Sequence, residues 1–347
     1  MENDVIFENK QRLGLIRLNR PKALNALTLP MVRAIQTQLD AWAQEEEINS
    51  IVIVGEGDRA FCAGGDIKGL YQSGLGDGVL AAEFFREEYE LDYRLATFAK
   101  PVISILDGAT MGGGVGLSLH GTVRVATEGT LFAMPETSIG LFPDVGSSHF
   151  LSRLPDGLGL FLGLTGQRLK AWDCLDIGVA THFVSCESID QLLVALEASD
   201  NALLTVEQFD NRQQLEKNSV LLEHRDLIQE AFGRKKLEDI VNFLSEVDTD
   251  WRRKQLAKLL ACSPTSLKVT LEQIERAASL SLAEVFMMDY RISQACMKGN
   301  DFFEGVRALL IDKDQSPKWK PDSLDGVDET RVVSHFTTLI GQELALD

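Results

Sequence analysis

The chain has 347 residues, 45% of them hydrophobic, which is enough to bury a large core in one extended domain or in two domains. Its formal net charge of −18 gives no electrostatic footprint for a nucleic-acid role, which requires a basic face, so no nucleic-acid partner is expected. The five cysteines are scattered and never form a CxxC pair, so neither a disulfide framework nor a zinc site is expected.

The start of the chain, Met-Glu-Asn-Asp, has no basic leader and no apolar segment. The longest uncharged stretch, residues 108–123, is rich in glycine and too short to span a bilayer. These features predict a cytoplasmic protein without a membrane partner.

Short β-branched runs alternate with helical patterns in the first half of the chain. Residues 5–7 and 13–18 indicate two paired strands joined by a turn at 9–11. Pro30 lies near the start of a helix whose apolar residues recur at helical spacing: Val32, Ile35, Leu39 and Trp42. Further strands are predicted at residues 50–54, 101–106, 122–126, 131–133 and 181–184. Strands that alternate with helices predict an α/β layered fold with a buried sheet.

The composition changes near residue 200. Glycines nearly vanish between residues 201 and 260, and helical periodicity dominates at 215–232 and 235–244. Helical patterns continue from residue 263 to 298, and Pro317 and Pro321 then predict an extended segment. We therefore predict a catalytic core at residues 1–200 and a mainly helical C-terminal region at 201–347.

Two glycine clusters lie at predicted junctions between a strand and a helix, AFCAGGDIK at residues 60–68 and MGGGVGL at 111–117. Unhindered backbone N–H groups at such junctions can point at an anion. Three familiar motifs fail: Leu117 replaces the third glycine of GxGxxG, no GxxxxGK[ST] occurs, and His120 replaces the last glycine of GxSxG. The alternative to anion binding is that these glycines only allow tight turns and close packing.

The segment at residues 134–146 carries two carboxylates, Glu136 and Asp144, separated by a loop. A loop after a buried strand can bring both acids to one pocket, where burial and mutual repulsion tune their pKa values. Taken alone, Glu136 could equally be a carboxylate at a helix start and Asp144 a turn residue.

The order of four segments resembles the enoyl-CoA hydratase/isomerase (crotonase) superfamily: RPKALNAL at residues 20–27, the two glycine clusters, and PETSIGLFPDVG at 135–146. Within that superfamily the chain resembles the 3-hydroxyisobutyryl-CoA hydrolase branch almost end to end. The segments that separate this branch from the others are SPTSLK at 263–268, YRISQACM at 290–297 and EGVRALLIDKDQSPKWKP at 304–321. The resemblance implies an α/β fold of the crotonase (ClpP-like) type, a spiral of ββα units with a helical C-terminal region.

The resemblance also implies the site residues. Gly65 and Gly113 are expected to donate the N–H groups of an oxyanion hole, with Glu136 as the main catalytic carboxylate and Asp144 beside it. The expected substrate-binding residues are Lys22, Ala23, Leu24, Ala63, Asp66, Ile67, Glu88 and Gly116. No metal and no separate cofactor is expected, because coenzyme A is part of the substrate.

One position departs from the hydratase pattern. Hydratases of the superfamily carry a second catalytic glutamate three residues beyond the oxyanion glycine, and here that position is Gly116. The missing carboxylate disfavours hydration, and we expect the space that it leaves to accept a different acyl group.

The resemblance implies hydrolysis of the thioester of 3-hydroxyisobutyryl-CoA, as in valine degradation, with 3-hydroxypropionyl-CoA as a second substrate that differs by one methyl group. A hydratase or isomerase acting on another short-chain acyl-CoA is the first alternative, and a non-catalytic CoA-binding subunit is the second. Two chemical steps stay open, a covalent anhydride on Glu136 or a water deprotonated by Glu136. The oligomeric state is open as well, and a homo-oligomer is one of its outcomes.

Overall fold

A computed structural model describes residues 3–346 of the chain. Within this range the strands are β1 (Val5–Lys10), β2 (Leu13–Leu18), β3 (Ser50–Gly55), β4 (Ala60–Cys62), β5 (Val102–Leu106), β6 (Ala109–Met111), β7 (Val123–Ala126), β8 (Leu131–Ala133), β9 (Leu169–Lys170) and β10 (His182–Phe183).

The α-helices of the same range are α1 (Leu29–Gln44), α2 (Ile67–Leu75), α3 (Val79–Ala96), α4 (Gly113–Leu119), α5 (Ser147–Leu151), α6 (Leu158–Thr165), α7 (Ala171–Asp176), α8 (Ile189–Glu197), α9 (Ala202–Phe209), α10 (Val220–Glu223), α11 (Arg225–Phe232), α12 (Leu237–Glu246), α13 (Asp250–Ala261), α14 (Pro264–Ala277), α15 (Leu282–Cys296), α16 (Asp301–Val306) and α17 (Glu329–Ser334). None of them combines the length and apolar composition that a membrane crossing requires.

Six strands form one sheet in the order β1-β2-β3-β5-β7-β10, and four form another in the order β4-β6-β8-β9. In the first sheet only β1 and β2 pair antiparallel, and in the second only β8 and β9 do. Successive pairs of strands, β3/β4, β5/β6 and β7/β8, each give one strand to either sheet. This repetition is the spiral of β-strand pairs and helices that the sequence resemblance implied.

Helices cover both faces of the six-stranded sheet, as its apolar strands require. Alternate residues of its central strands pack with helices α8 and α9 in one cluster, which includes Leu15, Val52, Ile103, Val125 and Leu196. On the other face the ring of Trp42 in α1 lies so close to Gly14 of β2 that a Cβ atom there would approach it to 2.8 Å. Gly14 is therefore required for the contact between α1 and the sheet.

The chain forms two compact units, and both are discontinuous in sequence. The first comprises the chain up to Asp66, Glu87–Ala133 and Arg168–Val220, and it contains all the strands of the described residues. The second comprises Ile67–Arg86, Met134–Gln167 and the chain from Leu221 onward, and it is helical. Our division into residues 1–200 and 201–347 rests on composition and stays a prediction; Met1, Glu2 and Asp347 lie outside the described residues.

The helical pattern at residues 215–232 forms two short helices, α10 and α11, where the sequence indicated one continuous pattern. The three-residue strands β4 and β6 lie inside the segments interpreted as glycine loops and their approaches.

Candidate active site

Asn25 fixes the segment that leads to the first glycine cluster. Its backbone is left-handed, with a φ of 56°, a conformation that asparagine tolerates better than most residues. Its buried amide donates to the carbonyls of Glu56 (3.0 Å) and Ala60 (2.8 Å), and its Oδ1 accepts from the N–H of Arg20 (2.9 Å). The predicted substrate residues Lys22, Ala23 and Leu24 therefore lie on a turn tied to the start of β4.

Backbone hydrogen bonds leave the N–H of Gly65 available. Ala63 donates to the carbonyl of Leu24 (3.0 Å), and Asp66 donates to that of Leu27 (2.7 Å). Within residues 3–346, the N–H of Gly65 between them has no acceptor. The carboxylate of Asp66 lies 3.3 Å from the Arg20 guanidinium, so Arg20 holds the end of this loop.

The structure brings the second predicted glycine to the first. Gly113 is the first residue of α4, where N–H groups lack a partner in the helix. A Cβ atom on Gly113 would lie 3.4 Å from the nitrogen of Gly65. Val115 and Gly116 donate to the carbonyl of Gly112, and the N–H of Gly113 finds no acceptor in the described part of the chain. Two donors from separate strand-to-helix junctions thus adjoin, as an oxyanion hole requires.

Two buried carboxylates of α3 face these glycines. A Cβ atom on Gly113 would lie 2.3 Å from Oε1 of Glu88, and one on Gly116 would lie 2.2 Å from Oδ2 of Asp92. The pKa of the Cys62 thiol is raised to about 12 by burial, with further contributions from the negative charges of Glu88 and Asp92.

Asp92 lies beside the position of Gly116, where we expect space for an acyl group; that expectation stays a prediction. The side chain of Asp92 already occupies the space into which a side chain at position 116 would extend. Sequence reasoning missed Asp92, because nothing in its local sequence indicates which helix it faces.

The second unit contains the two predicted catalytic carboxylates, Glu136 and Asp144. Glu136 begins a 3-10 helix, Glu136–Ile139, and its side chain is only 6% exposed. Its Oε2 has no hydrogen-bond partner among residues 3–346. Burial raises its pKa well above the usual value, and the negative charge of Asp144 raises it further. A carboxylate in this state is a stronger base than a solvated one.

Helix packing fixes the backbone around Glu136. Gly140 closes the 3-10 helix with a φ of 75°, and a Cβ atom there would lie 2.2 Å from the backbone of Asp301 in α16. The carbonyl of Thr137 accepts from the N–H of Ser263, which precedes α14. The segment SPTSLK, which carries part of the family resemblance, therefore begins at a direct contact with the segment of Glu136.

Asp144 is buried in the loop that follows. Asp289 of α15 and Gln273 of α14, both fully buried, hydrogen-bond this loop at Gly146 and Pro143. Both residues were missed from the sequence, because a lone acid or amide on an amphipathic helix has no signature of its own. Ile67 starts α2 in this same unit, and its predicted contact with substrate stays a prediction, as do those of Lys22, Ala23, Leu24, Ala63, Asp66, Glu88 and Gly116.

One group of possible metal ligands occurs among residues 3–346, formed by His182, Glu207 and Asp210. Asp210 already accepts hydrogen bonds from the guanidinium of Arg212 and from the N–H of Phe183. We assign no metal to this group, because the carboxylate of Asp210 is already hydrogen-bonded to Arg212 and Phe183.

Comparison with known families decides where the chain belongs. A family model described as Enoyl-CoA hydratase/isomerase matches residues 13–336. The chain belongs to the enoyl-CoA hydratase/isomerase family. A curated relative from Danio rerio, "3-hydroxyisobutyryl-CoA hydrolase, mitochondrial", is 52% identical over 99% of this chain and 92% of its own length.

Two solved structures of the family share the whole fold. A carnitinyl-CoA dehydratase from Mycobacterium thermoresistibile has a TM-score of 0.93 at 37% identity and covers 100% of this chain and 99% of its own. An enoyl-CoA hydratase from Rhodobacter sphaeroides 2.4.1 has a TM-score of 0.93 at 39% identity and covers 99% of this chain and 100% of its own. The predicted crotonase fold is confirmed.

The prediction of a cytoplasmic protein is wrong by this comparison, because the Danio rerio relative is named mitochondrial. The prediction rested on the first residues of the chain, and the start of a sequence does not decide the compartment of a protein.

Proposed function

We propose that this chain hydrolyses the thioester of 3-hydroxyisobutyryl-CoA to the free hydroxy acid and coenzyme A. The observation that carries the proposal is the 52% identity, over 99% of the chain, to a relative named for this activity. The chemistry of the described residues supports it: two adjoining glycine N–H groups with no acceptor, and a buried glutamate whose pKa is raised.

In this proposal Gly65 and Gly113 bind the thioester oxygen. Their N–H groups stabilise the negative charge that develops there, and removal of one such donor typically costs about 3–4 kcal/mol of transition-state stabilisation. The thiol of coenzyme A resembles that of cysteine, with a pKa of about 8.5, and leaves without a strong general acid.

Glu136 supplies the nucleophilic step. We propose that Glu136 attacks the thioester carbon through a carboxylate oxygen, so that the C–S bond breaks, the thiolate of coenzyme A leaves and takes a proton, and a mixed anhydride forms. Water then opens the anhydride at the Glu136 carbonyl and releases the hydroxy acid. Its high pKa makes Glu136 more nucleophilic than an exposed carboxylate once it is ionised. Asp144 binds the 3-hydroxyl of the substrate or orients Glu136.

A single turnover in ¹⁸O-water tests the covalent step. Water attack at the Glu136 carbonyl places the label in Glu136, which mass spectrometry of its peptide detects, and leaves the released acid unlabelled. Label in the released acid with none in Glu136 contradicts water attack at the Glu136 carbonyl; trapping of the anhydride with hydroxylamine then separates attack at its acyl carbon from a water deprotonated by Glu136.

Two substrates test the function as a whole. Thiol release is measured with 3-hydroxyisobutyryl-CoA, and loss of the enoyl absorbance is measured with crotonyl-CoA. The proposal predicts rapid thiol release from the first and little hydration of the second. Hydration without thiol release would indicate a hydratase, and the absence of both signals would indicate a non-catalytic CoA-binding subunit. Thiol release from 3-hydroxypropionyl-CoA measures how far the enzyme discriminates one methyl group, worth about 1–3 kcal/mol.

A further inference from the structure

The loop that carries Asp144 contains a residue, Val145, in a backbone conformation that its side chain does not favour. Val145 has a φ of 55° and Gly146 a φ of 73°. Left-handed backbone is strained for a β-branched residue, at a cost on the order of 1–3 kcal/mol, and persists only where the surrounding structure imposes it.

Two fully buried side chains hold this loop at both ends. The carboxylate of Asp289 accepts from the N–H of Gly146 through Oδ2 (2.8 Å) and from the amide of Gln273 through Oδ1 (2.8 Å). The same amide nitrogen of Gln273 donates to the carbonyl of Pro143 (2.9 Å). Asp144 lies between these two anchored positions, so the direction of its side chain depends on both hydrogen bonds.

An acid at this buried position is costly for stability, because its charge loses hydration. A neutral amide would accept from Gly146 without the cost of burying a charge. Both oxygens of Asp289 accept N–H donors, which is the arrangement of an ionised carboxylate. Burial raises the pKa of Asp289, and the charge of Asp144 raises it further, which indicates that the two acids interact.

From these contacts we propose that Asp289 is a positioning residue for Asp144, holding its loop in the reactive conformation with a second carboxyl group that interacts with Asp144. The proposal rests on the proposed hydrolase function. It assigns a role to a residue that does not itself touch the substrate.

Other titratable groups lie on the elements packed against this cluster. On α15, burial, Asp144 and Asp301 raise the pKa of Cys296 to about 12, so its thiol stays neutral. On α5, burial and the charge of Arg153 lower the pKa of His149. The charged residues of α14 and α16 are bound in ion pairs or hydrogen bonds: Lys268 with Glu238, Arg276 with Glu272, Glu304 with Arg307, and Asp301 with Ser263 and Lys320. Burial and Glu272 raise the pKa of the remaining acid of α14, Glu275.

The test is the pH dependence of kcat/KM for thiol release by Asp289→Asn. Asparagine keeps one acceptor but removes the charge, so the coupled pair Glu136–Asp144 ionises more easily and the acid limb of the profile moves to lower pH. The altered loop lowers kcat by about 10- to 100-fold, while KM changes little.

Asp301→Asn is the matched control. Asp301 is another buried acid of the same unit that accepts a backbone N–H, from Lys320, and it is not among the charges that act on Asp289, whereas Asp144 is. We expect it to leave the acid limb in place. An Asp289→Asn enzyme with an unshifted acid limb, whether or not it is slower, would overturn the proposal.

Two further measurements keep the outcome decisive. If Asp289→Asn does not fold, Gln273→Met removes the Pro143 anchor without removing a charge. A folded Gln273→Met enzyme with wild-type kcat overturns the proposal, and a lower kcat at unchanged KM supports it.

If the wild type releases no thiol, the proposed function fails. Asp289 is then tested by the infrared titration of the carboxyl band that Glu136→Gln removes, which Asp289→Asn should move to lower pH.

Discussion

At the scale of single residues, each of the two units contains buried acids that bear on the proposed chemistry. Glu136, Asp144 and Asp289 lie in the second unit, and Glu88 and Asp92 lie in the first. Burying a carboxylate opposes stability unless it is well partnered, so such groups mark candidate functional sites. The raised pKa of Glu136 predicts an enzyme that loses activity as acid protonates this group.

Asp144→Asn tests the electrostatic part of this interpretation. Asp144 raises the pKa of Glu136, so removal of its charge lowers that pKa, and the acid limb of kcat/KM moves to lower pH. The profile is measured by thiol release, with the exposed Asp248→Asn as control. A limb that moves to higher pH, or not at all, contradicts the assigned coupling.

The sequence predicts candidate site residues where they belong to continuous motifs, and it does not predict the residues that contact those segments from other helices. Gly65, Gly113, Glu136 and Asp144 lie in recognisable segments. Asp92, Gln273 and Asp289 are single polar residues on helices, and their partners are set by which helices meet. That information is absent from local pattern and spacing.

At the scale of elements, the contact between α3 and α4 depends on a glycine. Glycine in a helix is usually less stable than alanine by about 0.5–1 kcal/mol. At position 116 alanine should be less stable than glycine, because a Cβ atom would lie 2.2 Å from Oδ2 of Asp92.

We therefore expect Gly116→Ala to lower the free energy of unfolding by about 1–3 kcal/mol, the usual cost of overpacking. Chemical denaturation measures it, with Gly76→Ala as control, since a Cβ atom there would meet nothing closer than 3.4 Å. Equal or greater stability of Gly116→Ala contradicts the observed packing.

Elements with strong periodicity were predicted closely, and so was the short strand β8, whereas the short strands β4 and β6 were not. Helix α1 and the β1–β2 pair follow from apolar spacing and from one turn. Strands β4 and β6 have three residues each and lie next to glycine clusters, and they form because their neighbours in the sheet provide hydrogen-bond partners. The break between α10 and α11 was also missed, because helical periodicity continues across it.

At the scale of the whole molecule, the repeated strand pairs explain why the chemical segments recur at regular places in the chain. Strands β4, β6 and β8 are parallel neighbours. Each is followed directly by one of the segments that carry the proposed chemistry: the AGGD loop, the GGG turn and the MPET segment. In parallel sheets the loops after the carboxyl ends of strands commonly carry ligand sites.

The central claim is a thioester hydrolase whose reaction depends on Glu136. The most direct test is kcat for thiol release from 3-hydroxyisobutyryl-CoA by the wild type and by Glu136→Gln, with the exposed Glu246→Gln as control. We predict that Glu136→Gln lowers kcat by at least about 1,000-fold with its fold intact, because the only proposed nucleophile or base is lost. A folded Glu136→Gln enzyme that retains thiol release within about tenfold of the wild type would contradict the claim.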